Sequence, residues 1–208
     1  MDMLLEIHPQ NPDPRKIKQV VECLQDGGVI IYPTDTVYSF GCDILNTKAI
    51  ERVARLKHLR ADKANFSIVC YDLSHITEYS KQMSNPVFKL MKSVLPGPYT
   101  FILEAGKNIP KIFSEKKKTI GIRVPDNNIA RTIVREFGRP IIASSVHEED
   151  DILEYASDPE QIHEKYEKLV DLVIDGGAGS LDVSTILNCT GETIEVIREG
   201  KGPIDMLQ

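Results

Sequence analysis

Apolar positions along the chain follow two rhythms, one of helices and one of strands. Ile17, Val20, Val21 and Leu24 recur at helical spacing, which predicts a helix over Pro14 to Asp26, capped by Asn11 or Asp13 and ended by Gly27. Val29 to Tyr32 is a run of β-branched and aromatic residues, a strand that stops at Pro33. The polar turn Thr34-Asp35-Thr36 separates it from the apolar Val37, Tyr38 and Phe40. Thr47 is read as the cap of a second helix with the stripe Ile50, Val53, Ala54 and Leu56, which gives out in HLRADKAN, and Phe66 to Cys70 is the next strand. Helical spacing returns over Pro86 to Val94, with Phe88, Leu90 and Met91 apolar. The stiff turn Pro96-Gly97-Pro98 leads into the strand Tyr99 to Leu103.

Thr119 to Val124 is a strand halted by Pro125, and Ile129, Ile133 and Phe137 mark a helix over Asn127 to Phe137 with Gly138 as its stop. Pro140 to Ser145 reads as a short buried strand ending in hydroxyls, and the acidic stretch His147 to Asp158 as a loop. Pro159 to Leu169 is a further helix and Val170 to Ile174 a strand. Ser184 to Leu187 and Ile194 to Arg198 form a closing strand pair around Thr190-Gly191. Strands alternating with helices, without repeats or a linker, predict one α/β domain over residues 1–208 with helices packed on a twisted sheet.

Composition narrows the class. With 41% hydrophobic and 27% charged residues the chain is a globular one, and no apolar run approaches the ~20 residues that cross a bilayer. The start MDMLLEIHPQNPDPRK has no basic region followed by an apolar core, so no secretion signal is read there. Cys23, Cys42, Cys70 and Cys189 are widely spaced, which suits reduced thiols in a cytosol better than disulfides or a zinc site. A net charge of −6 excludes a protein that coats nucleic acid globally but leaves room for a local basic groove.

Chemistry-bearing residues collect at strand ends: Thr34 and Thr36, Arg123, Ser144 and Ser145, Ser184, and Arg198. Ligands of open α/β sheets bind beyond strand ends, so these residues are expected to share one pocket. Lys57, Arg60 and Lys63 follow at three-residue spacing where a helix dissolves into a loop. They are either a phosphate clamp or a solvated helix end that complements the macrodipole. Neither GxxxxGK[ST], GxGxxG, GxSxG nor HExxH occurs, and the glycines around Gly176 to Gly179 read as a connecting turn. His58 and His147 lie beside site segments, His8, His75 and His163 read as surface residues, and Glu148 to Asp151 as an acidic surface loop.

Together, GGVIIYPTDTVYSFGC, RLKHLRADK, PGPYTFIL, KTIGIRVPDN, PIIASS and STILNCTGETIEVIREG resemble the YrdC/Sua5/YciO family in its own order, and EIHPQNPDPRKI and KKKTIGIRVP resemble its YciO branch. The resemblance implies a mixed, twisted sheet and a concave positive cavity. It implies nucleotidyl transfer of the threonylcarbamoyl-AMP synthase type, which joins L-threonine, bicarbonate and ATP, the last with Mg2+, and releases pyrophosphate in the pathway to a modified tRNA adenosine. It implies RNA as a further partner, no tightly bound cofactor and no membrane. By the same resemblance Lys57, Arg60 and Lys63 hold phosphates, Arg123 the threonine carboxylate or carbonate, and Thr34 lines the threonine pocket. Thr119, Ser144, Ser184 and Arg198 contact the nucleotide, with Ser145 beside them.

Three departures stand out against that pattern. The family's KxRPxxK is Lys57-His58-Leu59-Arg60-Ala61-Asp62-Lys63 here, its SSAN is Ser144-Ser145-Val146-His147, and its histidine after the basic segment is Val69 or Cys70. Three readings therefore stay open: weak or redirected synthase chemistry, a non-catalytic module binding double-stranded RNA or tRNA, and adenylation of another carboxylate or carbamate.

Overall fold

The computed structural model describes residues 4–114, 118–146 and 157–207. The strands are β1 (Leu4–Glu6), β2 (Ile30–Tyr32), β3 (Ser39–Gly41), β4 (Ser67–Val69), β5 (Tyr99–Glu104), β6 (Thr119–Arg123), β7 (Ile141–Ser145), β8 (Leu172–Asp175), β9 (Thr185–Asn188) and β10 (Glu195–Arg198). They form one mixed sheet in the order β1-β8-β2-β3-β7-β4-β6-β5-β9-β10. The helices are α1 (Pro14–Gln25), α2 (Thr47–Leu56), α3 (Leu73–Tyr79), α4 (Asn85–Val94), α5 (Lys111–Ser114), α6 (Asn128–Phe137) and α7 (Pro159–Tyr166).

Local chemistry explains most boundaries. The Asp13 carboxylate accepts the Arg15 N–H at the start of α1, and the Asn127 amide oxygen accepts the Ala130 N–H at the start of α6. Gly138, at φ 81°, closes α6 in the left-handed conformation that glycine adopts without a Cβ clash. Asn46, rather than the expected Thr47, caps α2 by accepting the Ala49 N–H.

Because side chains alternate across a strand, register decides which face each residue joins. Ile142, Ile68, Ile122, Phe101 and Leu187 are successive cross-strand partners over five strands, and all are fully buried. They belong to a core completed by α2 (Ile50, Val53), α4 (Val87, Met91) and α7 (Ile162, Tyr166). One residue along, Ala143, Ser67, Gly121, Ile102 and Asn188 are the partners on the opposite face. Ala143 joins a second core, with Ile30, Tyr32, Val69 and Ile141 under α1 and α6. Ser67, Gly121 and Ile102 instead line an open cavity. Among the described residues one face of the sheet is thus covered as far as β9, whereas α1 and α6 cover only half of the other.

Several expectations are corrected here. Helix α3 and strand β1 carry too few residues for their periodicity to stand out, and neither was expected. Phe88 is 39% exposed, so α4 turns Val87 and Met91 inward instead. His163 is half-buried rather than on the surface. His75 is buried as well: its ring stacks on Tyr71 at 4.4 Å, meets Tyr79 edge-on at 5.2 Å, and its Nδ1 accepts the Tyr71 N–H. All four cysteines are free thiols, and burial pushes those of Cys23 and Cys189 up to about 11, so both stay protonated at neutral pH. No helix among the described residues is long and apolar enough to cross a membrane.

Two predictions follow from this layering. Ile133→Ala, on the buried face of α6, is expected to lower the unfolding free energy by about 2–5 kcal/mol. Ile186→Ala on the uncovered half-face is expected to cost under about 1 kcal/mol. Urea denaturation of both variants measures this, and equal losses would mean that the half-face is packed. Burial lowers the His75 pKa, with Glu78 and Asp72 opposing it. The unfolded chain therefore binds the proton more readily, and stability should fall as pH drops below the unfolded value of ~6.5. Denaturation at pH 7.5 and pH 5 should show a smaller loss for His75→Gln than for the wild type, and parallel losses would remove His75 from the account.

Candidate functional site

The turn between β2 and β3 is built by its own hydroxyls. Pro33 ends β2, and the Thr34 hydroxyl accepts the Thr36 N–H at 3.0 Å and donates to the Val37 carbonyl at 2.8 Å. Thr36 Oγ1 lies 3.0 Å from Thr34 Oγ1 and accepts from Arg123 Nη2 at 2.9 Å. Protons therefore run one way, from guanidinium to Thr36 to Thr34 to the backbone, and each bond polarises the next. The Asp35 carboxylate accepts from Arg123 Nη2 at 2.9 Å and from the Asp126 N–H at 3.0 Å, while the Asp35 carbonyl accepts from Lys201 Nζ at 2.6 Å. The Arg123 and Asp35 side chains are only 6% and 8% exposed, so this is a buried ion pair.

Burial lowers the Arg123 pKa and Asp35 opposes it; an arginine guanidinium nonetheless stays cationic in water. Its Nε is buried and has no hydrogen-bond partner among the described residues. A buried orphan N–H on a cation is a place where an incoming anion gains more than it would at the surface.

A second group lies across the sheet. Ser184 Oγ is 2.8 Å from Thr100 Oγ1, and Arg198 donates to the Ser184 carbonyl from Nη2 at 2.8 Å and from Nε at 3.1 Å. Burial lowers the Arg198 pKa, and the Arg123 charge lowers it further. The two guanidiniums therefore act on each other and jointly favour an anion between them.

Thr100 leads from this group into the cavity, about 360 Å³, lined also by Ser67, Ile102, Thr119, Gly121, Ile186 and Ile197. Arg123 lies on the same side of β6 as Thr119 and Gly121. A Cβ at Gly121 would sit 2.7 Å from Ser67 Oγ, so glycine keeps this floor flat and open. Ala64 and Asn65 form the rim, directly after the basic segment.

That segment is not a helical face. Lys57 is the cap of α2, and the next residue, His58, has φ 52°, where glycine is usual. The His58 N–H bonds the Arg55 carbonyl and the Leu59 N–H the Ala54 carbonyl, the pair of bonds that turns a chain sharply off a helix end. Arg60 and Lys63 then lie exposed on the loop, with Arg60 Nε donating to Asp62 Oδ1 at 3.0 Å. Register separates the two serines. Ser144 pairs with Phe40 on the covered side, whereas Ser145 pairs with Ser39 on the side that carries the cavity.

Of the expected residues, Thr119 lines the cavity itself, Ser184 and Arg198 join it through the hydroxyl of Thr100, and Arg123 lies on the same side of β6. Thr34 spends its hydroxyl inside the turn, and Lys57, Arg60, Lys63 and Ser144 lie outside the lining. Lys116 and Lys117, His147 and the carboxylates Glu148 to Asp151 lie outside the described residues. Asp35, Ser67, Thr100 and Lys201 were missed; Thr100, in the PGPYT segment, and Asp35, in the turn, were open to notice as strand-end polar groups.

The fold and this cleft define an α/β protein that collects guanidinium and hydroxyl donors beyond its strand ends, on a half-uncovered sheet. The chain belongs to the Sua5/YciO/YrdC family, whose model, described as telomere recombination, matches residues 22–200. It is 43% identical over 206 residues, 98% of each chain, to the uncharacterized protein YciO of Escherichia coli K12, and it superposes on the crystal structure of E. coli YciO with a TM-score of 0.91 over 100% of both chains. It is 30% identical over 135 residues to the threonylcarbamoyl-AMP synthase of Coxiella burnetii RSA 331, covering 65% of this chain and 72% of that one. The crystal structure of P. abyssi Sua5 complexed with L-threonine shares its fold, with a TM-score of 0.87 at 22% identity over 98% of this chain and 59% of that one.

Asp35→Asn should leave the buried Arg123 without its counter-charge and lower stability by about 3–5 kcal/mol. Chemical denaturation tests this; a loss under about 1 kcal/mol would mean that water already solvates the pair.

Proposed function

We propose that the cleft binds ATP, L-threonine and bicarbonate and forms threonylcarbamoyl-AMP. The observation that carries this reading is the buried Nε of Arg123, without a partner among the described residues, on the side of β6 whose Thr119 and Gly121 line the cavity. The threonine amine takes up bicarbonate to give a carbamate and water. A carbamate oxygen then attacks the α-phosphorus of ATP, and the bond to the β-phosphate breaks to release pyrophosphate. Anion attacks anion, so the site's task is to neutralise and align rather than to supply a nucleophile. Arg123 holds the threonine carboxylate or the carbonate, and Ser184, Arg198 and Thr119 hold the nucleotide. Lys57, Arg60 and Lys63 fold over the phosphates from the rim, with Mg2+ arriving on ATP. A threonylcarbamoyl-AMP synthase among the relatives, and a Sua5 structure complexed with L-threonine, support this choice of substrates.

The competing reading is a non-catalytic RNA-binding module, which the exposed Arg60 and Lys63 favour. Double-stranded RNA would then bind in a salt-sensitive way and compete with ATP for the same cations.

The test is pyrophosphate release from ATP and bicarbonate with each amino acid in turn. Release that depends on both L-threonine and bicarbonate is expected, and Lys63→Ala should weaken ATP by about tenfold. Release with another amine alone would redirect the substrate. No release with any amino acid would leave the binding module.

A further inference from the structure

On the face of the sheet opposite the cleft, the ends of α2 and α7 enclose a second groove of about 670 Å³. It is lined by Arg52, Arg55, His58, Lys165 and Lys168 together with Leu56, Tyr166 and Leu169. Every ionisable side chain in it other than the tyrosine is basic, in a chain of net charge −6.

The simplest account is that these cations complement the negative ends of two helix dipoles. That explains the charge but not the apolar surface. Leu169 is 46% exposed in the groove, and Leu59, directly after His58, is 48% exposed. Arg52 is already committed, donating to the Leu169 carbonyl and pairing with Asp171, so it forms a wall rather than a binding group. Arg55 and His58 are exposed and have no ion pair among the described residues, and Lys168 reaches Glu167 only at 4.0 Å with its side chain 89% exposed.

His58 strengthens the case. It holds a backbone conformation that a non-glycine residue adopts at a cost, and such strain tends to persist where a side chain is needed. The turn, which glycine could make, here presents an imidazole to the groove along with Arg55.

We infer that this groove docks an acidic segment of a partner protein, its carboxylates on Arg55, His58 and Lys168 and a leucine-like side chain against Leu56 and Leu169. Single-stranded nucleic acid is the poorer fit, because it binds through exposed aromatic rings. Tyr166 is 5% exposed, packed edge-on against Phe40 and covered by Lys165, which leaves the single imidazole of His58 where a stacking platform needs successive rings. Cations interleaved with exposed leucines instead match an amphipathic acidic peptide.

The probe is a fluorescein-labelled peptide of alternating glutamates and leucines, titrated into the full chain by anisotropy. Saturable binding is expected. It should weaken about tenfold or more in Arg55→Glu/Lys168→Glu, an exposed double variant, and at 0.5 M salt, while ATP affinity stays as in the wild type. Nuclear magnetic resonance of the wild type should place the shifted amides at the ends of α2 and α7. Unchanged peptide affinity in the double variant, shifts at the cleft instead, or equal binding of a lysine–leucine peptide would overturn the proposal. An RNA hairpin that binds through Arg55 and Lys168 where the peptide does not would assign the groove to nucleic acid.

Discussion

The buried pair between Arg123 and Asp35 is the constraint on which the site depends. A guanidinium taken out of water at the end of β6 needs a carboxylate of matching geometry, and the turn after β2 supplies it. The same carboxylate takes the Asp126 N–H, and the backbone of the same residue takes Lys201. A short polar turn thereby ties two distant parts of the chain, Arg123 to Asp126 and Lys201, to itself around one cation. The hydroxyls of Thr34 and Thr36 are best understood as the scaffold of that arrangement, because both are consumed in holding it.

Layering supplies the space. Among the described residues ten strands offer two faces, and seven helices do not cover both. The uncovered half of one face sets small and hydroxylated residues among its isoleucines, Ser67 beside Gly121 and Thr100 beside Ser184. Polar groups there are tolerated because they bond to one another across strands or face the cavity. The cleft is thus a place where the fold leaves its second layer unfinished.

Much of the fold was legible in the sequence, because α1, α2, α6 and the longer strands carry several periods of their pattern between strong stops such as Gly27 and Gly138. Strand β1 and helix α3 were not, since three and seven residues hold too little periodicity. Of the site, Arg123, Ser184 and Arg198 could be read as polar residues at the ends of apolar strands. Ser67 could not, because its face depends on pairing with Gly121 and Ala143, partners far off in the chain. The basic trio lies, as expected, where the second helix gives way to a loop. Its spacing looks helical, but the chain leaves the helix at His58, and the cue for that turn is a backbone angle usually marked by glycine.

The cleft draws on residues from Asp35 in the first quarter of the chain to Lys201 near its end, by way of β4, β5, β6 and β10. No contiguous fragment holds more than a part of it. Anything bound there clasps the whole sheet at once, so its binding energy adds to the cooperativity of the entire fold rather than to one region. The occupied protein should then exchange its most protected amides more slowly on both flanks of the sheet together, as one body.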